Sequence, residues 1–470
     1  MALSSALFSG ISGLSNLGNA MQVIGDNIAN VNTVGFKGSS FSFQDLLSQA
    51  MFTRAGTSQV GRGTALSDIY ATFEQGSFES TGNTTDLAIG GDGFFVLRES
   101  GSQSLYYSRA GNFRFDMDGY LVNPEGYVVQ GWDVDEDGNI QGTAIDIMLN
   151  SFTSEPEATD AMTLITNLNK DSTSNSAVLA NTWNGDGTAD PPIDPASYDY
   201  QSTVKVYDSL GSTHDVTVYF DKDTGSTWEY IIAVNPGEDN RVGFAGNTGC
   251  GLLARGSIVY NEGSGSLQSL TLDRLTGTDP TDPLDWQTQS PKVDGYFEFQ
   301  ADFIGGAATT QDIALDIGTR WDGVAFAPDS LSSTQYASSS TTVYQSSTGY
   351  GPGALQGVDV DVDGLITGVY SNGQVIPLYR LSLAKFQSLQ GLYKEGGNLY
   401  RETRQSGPAI TGLPGTNGLG NIAPNSLEQS NVDIANEFVK MITTQRGFQA
   451  NSKIITVTDS MLAELINLKR

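Results

Sequence analysis

The sequence predicts an α+β fold in which an N-terminal and a C-terminal helix pair as a coiled coil and nested all-β domains project from them. Three observations carry this: heptad-spaced apolar stripes at both ends, short β-like runs between Gly, Asp and Asn clusters in the middle, and a charge excess confined to that middle.

The first helix is read over residues 1–36. Leu14, Met21 and Ile28 occupy one seam position and Leu17, Ile24 and Val31 the other, with Leu3 and Leu7 extending the stripe backwards. That makes a seam of about four heptads. At the other end, within 425–470, Ile434, Met441, Phe448, Ile455 and Leu462 recur every seventh residue, with Phe438 and Ile466 on the flanking row. The two helices are expected to pair through these residues and to form the self-assembly interface. Asp26 is the only charge before Lys37. A lone surface helix carries charge on its wet face, so an uncharged back implies that most of the circumference meets other protein. Gly10, Gly13, Gly18 and Gly25 each cost a helix about 0.5–1 kcal/mol relative to Ala, and the helix is expected to be poorly formed in an isolated chain. It should stop between Asn30 and Gly35, where Asn and Gly tolerate left-handed backbone.

Residues 37–72 read as an extended connector with a short helical piece at Phe43 to Met51. From 73 to 150 short apolar runs such as Leu87–Ile89, Phe94–Leu97 and Tyr127–Val129 alternate with turns such as Asp118-Gly119, as in an all-β domain. Residues 151–350 change to long Ser, Thr, Asp and Pro stretches between alternating strands, the clearest being the hairpin of Val204, Val206 and Tyr219 turning at Ser209–Ser212. β signals resume over 351–424. Because both helical ends must return to one place, 73–150 and 351–424 are read as one domain, with 151–350 inserted as a second.

The 470 residues carry a net charge of −29, and its distribution is informative. Residues 1–70 hold three acids and three bases, and 425–470 hold five of each, so the remaining 45 acids and 16 bases place the whole excess in between. Neutral ends that pack together and an acidic, solvated middle suit an assembly and argue against nucleic acid and anionic membrane as partners. The single Cys250 excludes an intrachain disulfide. Neither a signal peptide nor an apolar run of about 20 residues is evident.

Catalytic and metal motifs are weak. Asp133-Val134-Asp135-Glu136-Asp137-Gly138 and Asp359-Val360-Asp361-Val362-Asp363-Gly364 begin like calcium loops, but Ala144 and Tyr370 stand where the twelfth-position carboxylate belongs. Hairpin turns explain both. His214 is the only histidine, so any Ser-His-Asp or His-rich metal site would need it; its place after a turn predicts a solvated surface role. No cofactor and no enzymatic activity are expected.

Two terminal stretches carry a resemblance. Asp26-Asn27-Ile28-Ala29-Asn30-Val31-Asn32-Thr33-Val34-Gly35-Phe36-Lys37 resembles the N-terminal signature of the bacterial flagellar rod and hook axial proteins, and Ser430-Asn431-Val432-Asp433, followed by Glu437, Gln445, Arg446 and Asn451, resembles their C-terminal signature. Asp86 to Phe95, Tyr370 to Gln374, Ser406 to Ala409 and the ending Leu465 to Arg470 are most similar to the hook branch. The resemblance implies a homopolymeric, torque-transmitting flexible tube joining rod and filament. It further implies contacts with distal rod, hook cap and hook–filament junction proteins, and passage through the flagellar export apparatus to the cell exterior without a cleaved signal. The rivals are a distal rod protein of the same family, a calcium-dependent adhesin-like β protein, and a polysaccharide-cleaving enzyme with paired carboxylates.

Overall fold

The computed structural model describes residues 2–53, 56–135, 137–149, 152–175, 178–303 and 310–468. The chain divides into two compact units: residues 1–152, 355–369 and 375–470 form the first, and 153–354 with 370–374 the second.

In the first unit α1 (Ala2–Ala29) is one unbroken helix. α1 is supported on two sides. On one lies a ribbon in which β1 (Ser39–Asp45) pairs antiparallel with β4 (Thr64–Ala71); β2 (Gln49–Thr53) and β3 (Gly56–Val60) form a second hairpin between them. The piece expected to be helical at Phe43 to Met51 is therefore the end of β1, a three-residue link and the start of β2, in keeping with the β-favouring alternation Ser39-Ser40-Phe41-Ser42-Phe43 that leads into it. On the other side lies α2 (Ile434–Leu468).

The unit's β core is built on Phe94–Glu99, paired antiparallel with both Leu105–Ser108 and Tyr127–Val134. Its four apolar residues are buried on both faces. Phe95 and Leu97 join Leu87, Ile89, Val129 and Leu381, whereas Phe94 and Val96 join Tyr107, Phe386 and Tyr400. A strand covered on both faces reads as a continuous apolar run rather than an alternating one, which is why Phe-Phe-Val-Leu stands unbroken.

The second unit packs a six-stranded antiparallel meander, starting with Tyr200–Tyr207 and Thr213–Lys222, against a smaller sheet. Ala161–Asn169 runs through that smaller sheet, parallel to Gln311–Asp316 and Thr334–Tyr336. Val204 lies opposite Val216, and the turn between them is held by the Asp208 Oδ1 carboxylate accepting the Leu210 and Ser212 N–H groups at 2.9 and 2.7 Å. His214 is not solvated. It shares the inward row with Val216 and Val218, is 5% exposed, stacks on Phe303 at 4.0 Å, and sits between Glu238 (3.0 Å) and Asp208 (3.5 Å). Strand period decides its side more strongly than proximity to the turn. The acidic turns use their carboxylates on their own backbone: Asp135 accepts Asn139 N–H at 2.7 Å, and Asp361 accepts Asp363 and Leu365 N–H at 2.9 Å. Among the described residues no group of three acids, His or Cys is placed to hold a metal ion.

Candidate functional site

The two terminal segments converge in the first unit, and their polar residues make the junction. α1 ends where Asn30 turns its side chain back to donate to Asp26 O at 3.0 Å, and Thr33 Oγ1 donates to Asn30 Oδ1 at 3.1 Å. Gly35 then adopts φ +68°, with Ala110 N 2.5 Å from where a Cβ would stand, and its N–H donates to Glu428 O at 2.7 Å. Only glycine fits there.

Lys37 follows, fully buried. Its Nζ donates to the equally buried Glu428 carboxylate at 2.6 Å and to Glu74 O at 2.8 Å; Gly76 N–H donates to the same carboxylate at 2.9 Å, and Arg109 Nη1 reaches its other oxygen at 3.4 Å. Burial pushes both Lys37 and Arg109 below their ordinary pKa values, and Glu428 opposes that shift in each. One carboxylate thus holds two cations out of water and links the N-terminal segment, the β core and the strand leading to α2.

Two asparagines close the joint. Asn27 pairs with the Ser39 backbone like a strand, donating to its O and accepting its N–H at 2.8 Å each, and also donates to Glu437 Oε2 on α2 at 3.3 Å. Asn431 accepts Gly38 N–H at 2.9 Å and donates to Thr72 O at 2.8 Å. Asp433 caps α2, accepting Ala435 N–H at 2.8 Å.

α1 and α2 run antiparallel: Gly10 meets Ile455, Gly13 meets Asn451, Leu17 meets Gly447 and Asn27 meets Glu437. Each pair of residue numbers adds to 464 or 465, which fixes the register. The seam differs from the heptad reading in one row of each helix. Leu17 and Ile455 meet the partner helix at its glycines, Ile24 is fully buried, and Met441 and Leu462 are half-buried in the row of Ile455. Their companion rows are small on α1 (Gly13, Ala20, Asn27) and polar on α2 (Glu437, Thr444, Asn451, Thr458). Leu7, Leu14, Met21, Ile28 and Val31 are half-buried at the flanks, and the side chain of Leu3 lies outside the description. The cause is distance, since glycine at 10, 13 and 447 lets the backbones approach where a Leu or Met would hold them apart. Gly10 and Gly13 are contact points, whereas Gly18 and Gly25 have nothing within 4 Å of an added Cβ.

Much of the apolar surface of α2 is left uncovered in the single chain. Ile434, Phe438, Val439, Ile442, Phe448, Ile454, Val457, Met461 and Ile466 are 39–68% exposed. Ile434, Phe438, Phe448 and Ile466, expected in the seam, are among these exposed residues. Asn32, Gln445 and Arg446 are also outward, Phe36 is buried under Lys394, and Ser430 Oγ accepts Val432 N–H at 3.3 Å. Glu428, Arg109 and the polar row of α2 are what sequence reading missed. The row was discoverable from its seven-residue recurrence, whereas nothing local marks Arg109.

Known proteins match over nearly the whole chain. Family models match at residues 7–37 (flagella basal body rod protein), 88–160 (flagellar hook D1 domain), 167–350 (flagellar basal body protein FlaE D2 domain) and 423–468 (flagellar basal body rod C-terminal). The flagellar hook proteins of Borreliella burgdorferi and Treponema pallidum are each 34% identical over 99% of both chains, and that of Escherichia coli is 30% identical over 98%. A solved Helicobacter pylori flagellar hook protein aligns at 16% identity and TM-score 0.47, covering 75% of this chain and all of its own. With identity at this level along its full length, the chain belongs to the flagellar hook protein family, structural and non-enzymatic subunits that polymerise into the extracellular hook.

Proposed function

We propose that this chain builds the hook through its terminal helices, with the outward face of α2 as the polymer contact. The observation that carries this is the make-up of α2: one of its two rows toward the partner is polar (Glu437, Thr444, Asn451, Thr458), while nine large apolar side chains stay exposed. Burying the exposed part of each is worth on the order of 1 kcal/mol, and a second copy supplies the surface without adding charge. The acidic middle stays hydrated, and polar contacts between copies there exchange with water at small net cost, which suits a tube that bends while transmitting torque from rod to filament. By the same reading the tube meets the distal rod below, the cap during growth and the junction proteins above, and its subunits travel through the export apparatus without losing a signal peptide. Purified chain raised through its critical concentration and imaged by electron microscopy should give hollow tubes. A monomer at every concentration, or amorphous aggregate, contradicts the reading.

A further inference from the structure

The apolar part of the α1–α2 seam does not distinguish one heptad register from the next. Leu17 and Ile24 are seven apart, and Met441, Phe448, Ile455 and Leu462 recur every seventh residue, so a seven-residue slip exchanges one apolar side chain for another along this row. Two features do not repeat: the close glycine contacts Gly10–Ile455, Gly13–Asn451 and Gly447–Leu17, and the polar pair Asn27 and Glu437, which is the only one of them to involve a charged group. Asn27 and Glu437 are nearly buried, at 3% and 5% exposure, and in the slipped register Glu437 loses its Asn27 donor. Asn27 is simultaneously fixed to Ser39 through both its amide atoms, and Asn431 holds the adjacent Gly38. The register of the helices is thereby tied to the start of the β ribbon. Thr444, Asn451 and Thr458, the other members of the polar row, are uncharged and tolerate displacement by one heptad.

We propose that Asn27 and Glu437 are positioning residues that select the register of α1 against α2, and with it the alignment of the outward α2 face that neighbouring copies must meet. A buried polar contact that costs stability and specifies register is a known device in paired helices. The register claim concerns the single chain, so it is tested before assembly and its failure leaves the polymer reading standing.

The test uses the full chain with Cys250→Ser and two alternative cysteine pairs. Leu17→Cys with Gly447→Cys reports the observed register; Leu17→Cys with Ile454→Cys reports a one-heptad slip. With Asn27 and Glu437 intact, oxidation in dilute monomer joins the first pair and the second at least about tenfold more slowly, the factor one unmade buried hydrogen bond produces. In Asn27→Leu/Glu437→Leu that rate preference should shrink severalfold, the glycine contacts alone holding what is left. Glu437→Gln, which keeps an acceptor for Asn27, should restore the preference. Amide protection of both helices is read in the same samples. If the double variant loses that protection, Asn27→Ala replaces it and the same shrinkage is expected. An undiminished preference for Leu17–Gly447 in the substituted chain overturns the proposal, as does loss of helix protection in both variants, which would make the pair a stability element only.

Discussion

Replacing Glu428 by Gln keeps the shape of the side chain and removes the charge that two buried cations share. Lys37 and Arg109 are 0% and 4% exposed, and Glu428 is the carboxylate paired with both. An ion left in the interior without its partner costs about 3–5 kcal/mol, a large share of the roughly 5–15 kcal/mol that holds a domain. The loss should be local and readable by peptide-resolved hydrogen exchange under increasing urea: the Gly35 and Gly76 amides, which donate to Glu428, lose protection before the Phe94–Glu99 strand does. Its pH dependence is also fixed in sign. Burial holds the Lys37 pKa below its ordinary 10.5, so between the folded and unfolded values the unfolded chain binds more protons and stability rises with pH. Without Glu428 nothing favours the charged form of Lys37, and the deficit of Glu428→Gln should shrink as pH rises from 7 towards 10. A loss below about 1 kcal/mol, against the 3–5 kcal/mol expected of an uncompensated buried charge, or a deficit that grows with pH, refutes the reasoning.

Other outcomes follow from particular contacts. Gly35→Ala puts a Cβ 2.5 Å from Ala110 N at φ +68° and should cost at least about 2 kcal/mol, whereas Gly18→Ala meets nothing and should stabilise the helix by about 0.5–1 kcal/mol, both read by chemical denaturation. Burial holds Tyr107, Tyr230, Tyr260 and Tyr400 well above the ordinary phenol range. Their contribution to stability is full below pH 10 and falls above it, so phenolate absorbance from these residues should appear together with unfolding rather than before it. Because the net charge of −29 is carried by the middle of the chain, copies repel over about 30 Å at 0.01 M salt and about 8 Å at 0.15 M. The critical concentration for tubes should therefore fall across that range; a rise would contradict it.

The helices were legible because apolar period survives in isolation. α1 ends at Ala29, just before the expected Asn30, and Leu17 and Ile455 of the expected stripes lie against glycines of the other helix. The other seam row was misassigned because a heptad search follows Leu, Met and Phe, while a close antiparallel approach is made by Gly, Ala and Asn. The choice between Leu14 and Gly13 depends on a backbone distance that no single helix encodes. The same limit hid the Lys37–Glu428 pair, 391 residues apart in sequence. His214 shows the opposite case: the strand alternation that buries it is present in the sequence and overrides the turn beside it.

The central claim is that the outward face of α2 is a contact between copies, and it is tested most directly by Phe438→Asn/Ile442→Asn. Each side chain is 48% exposed in the single chain, so the monomer's unfolding midpoint should change little, a deficit of about 1 kcal/mol or less. The critical concentration for tubes should rise at least about tenfold, the equivalent of 1.4 kcal/mol per added subunit. Tubes at the unmodified concentration would contradict the account, and so would a monomer that loses stability in step with assembly.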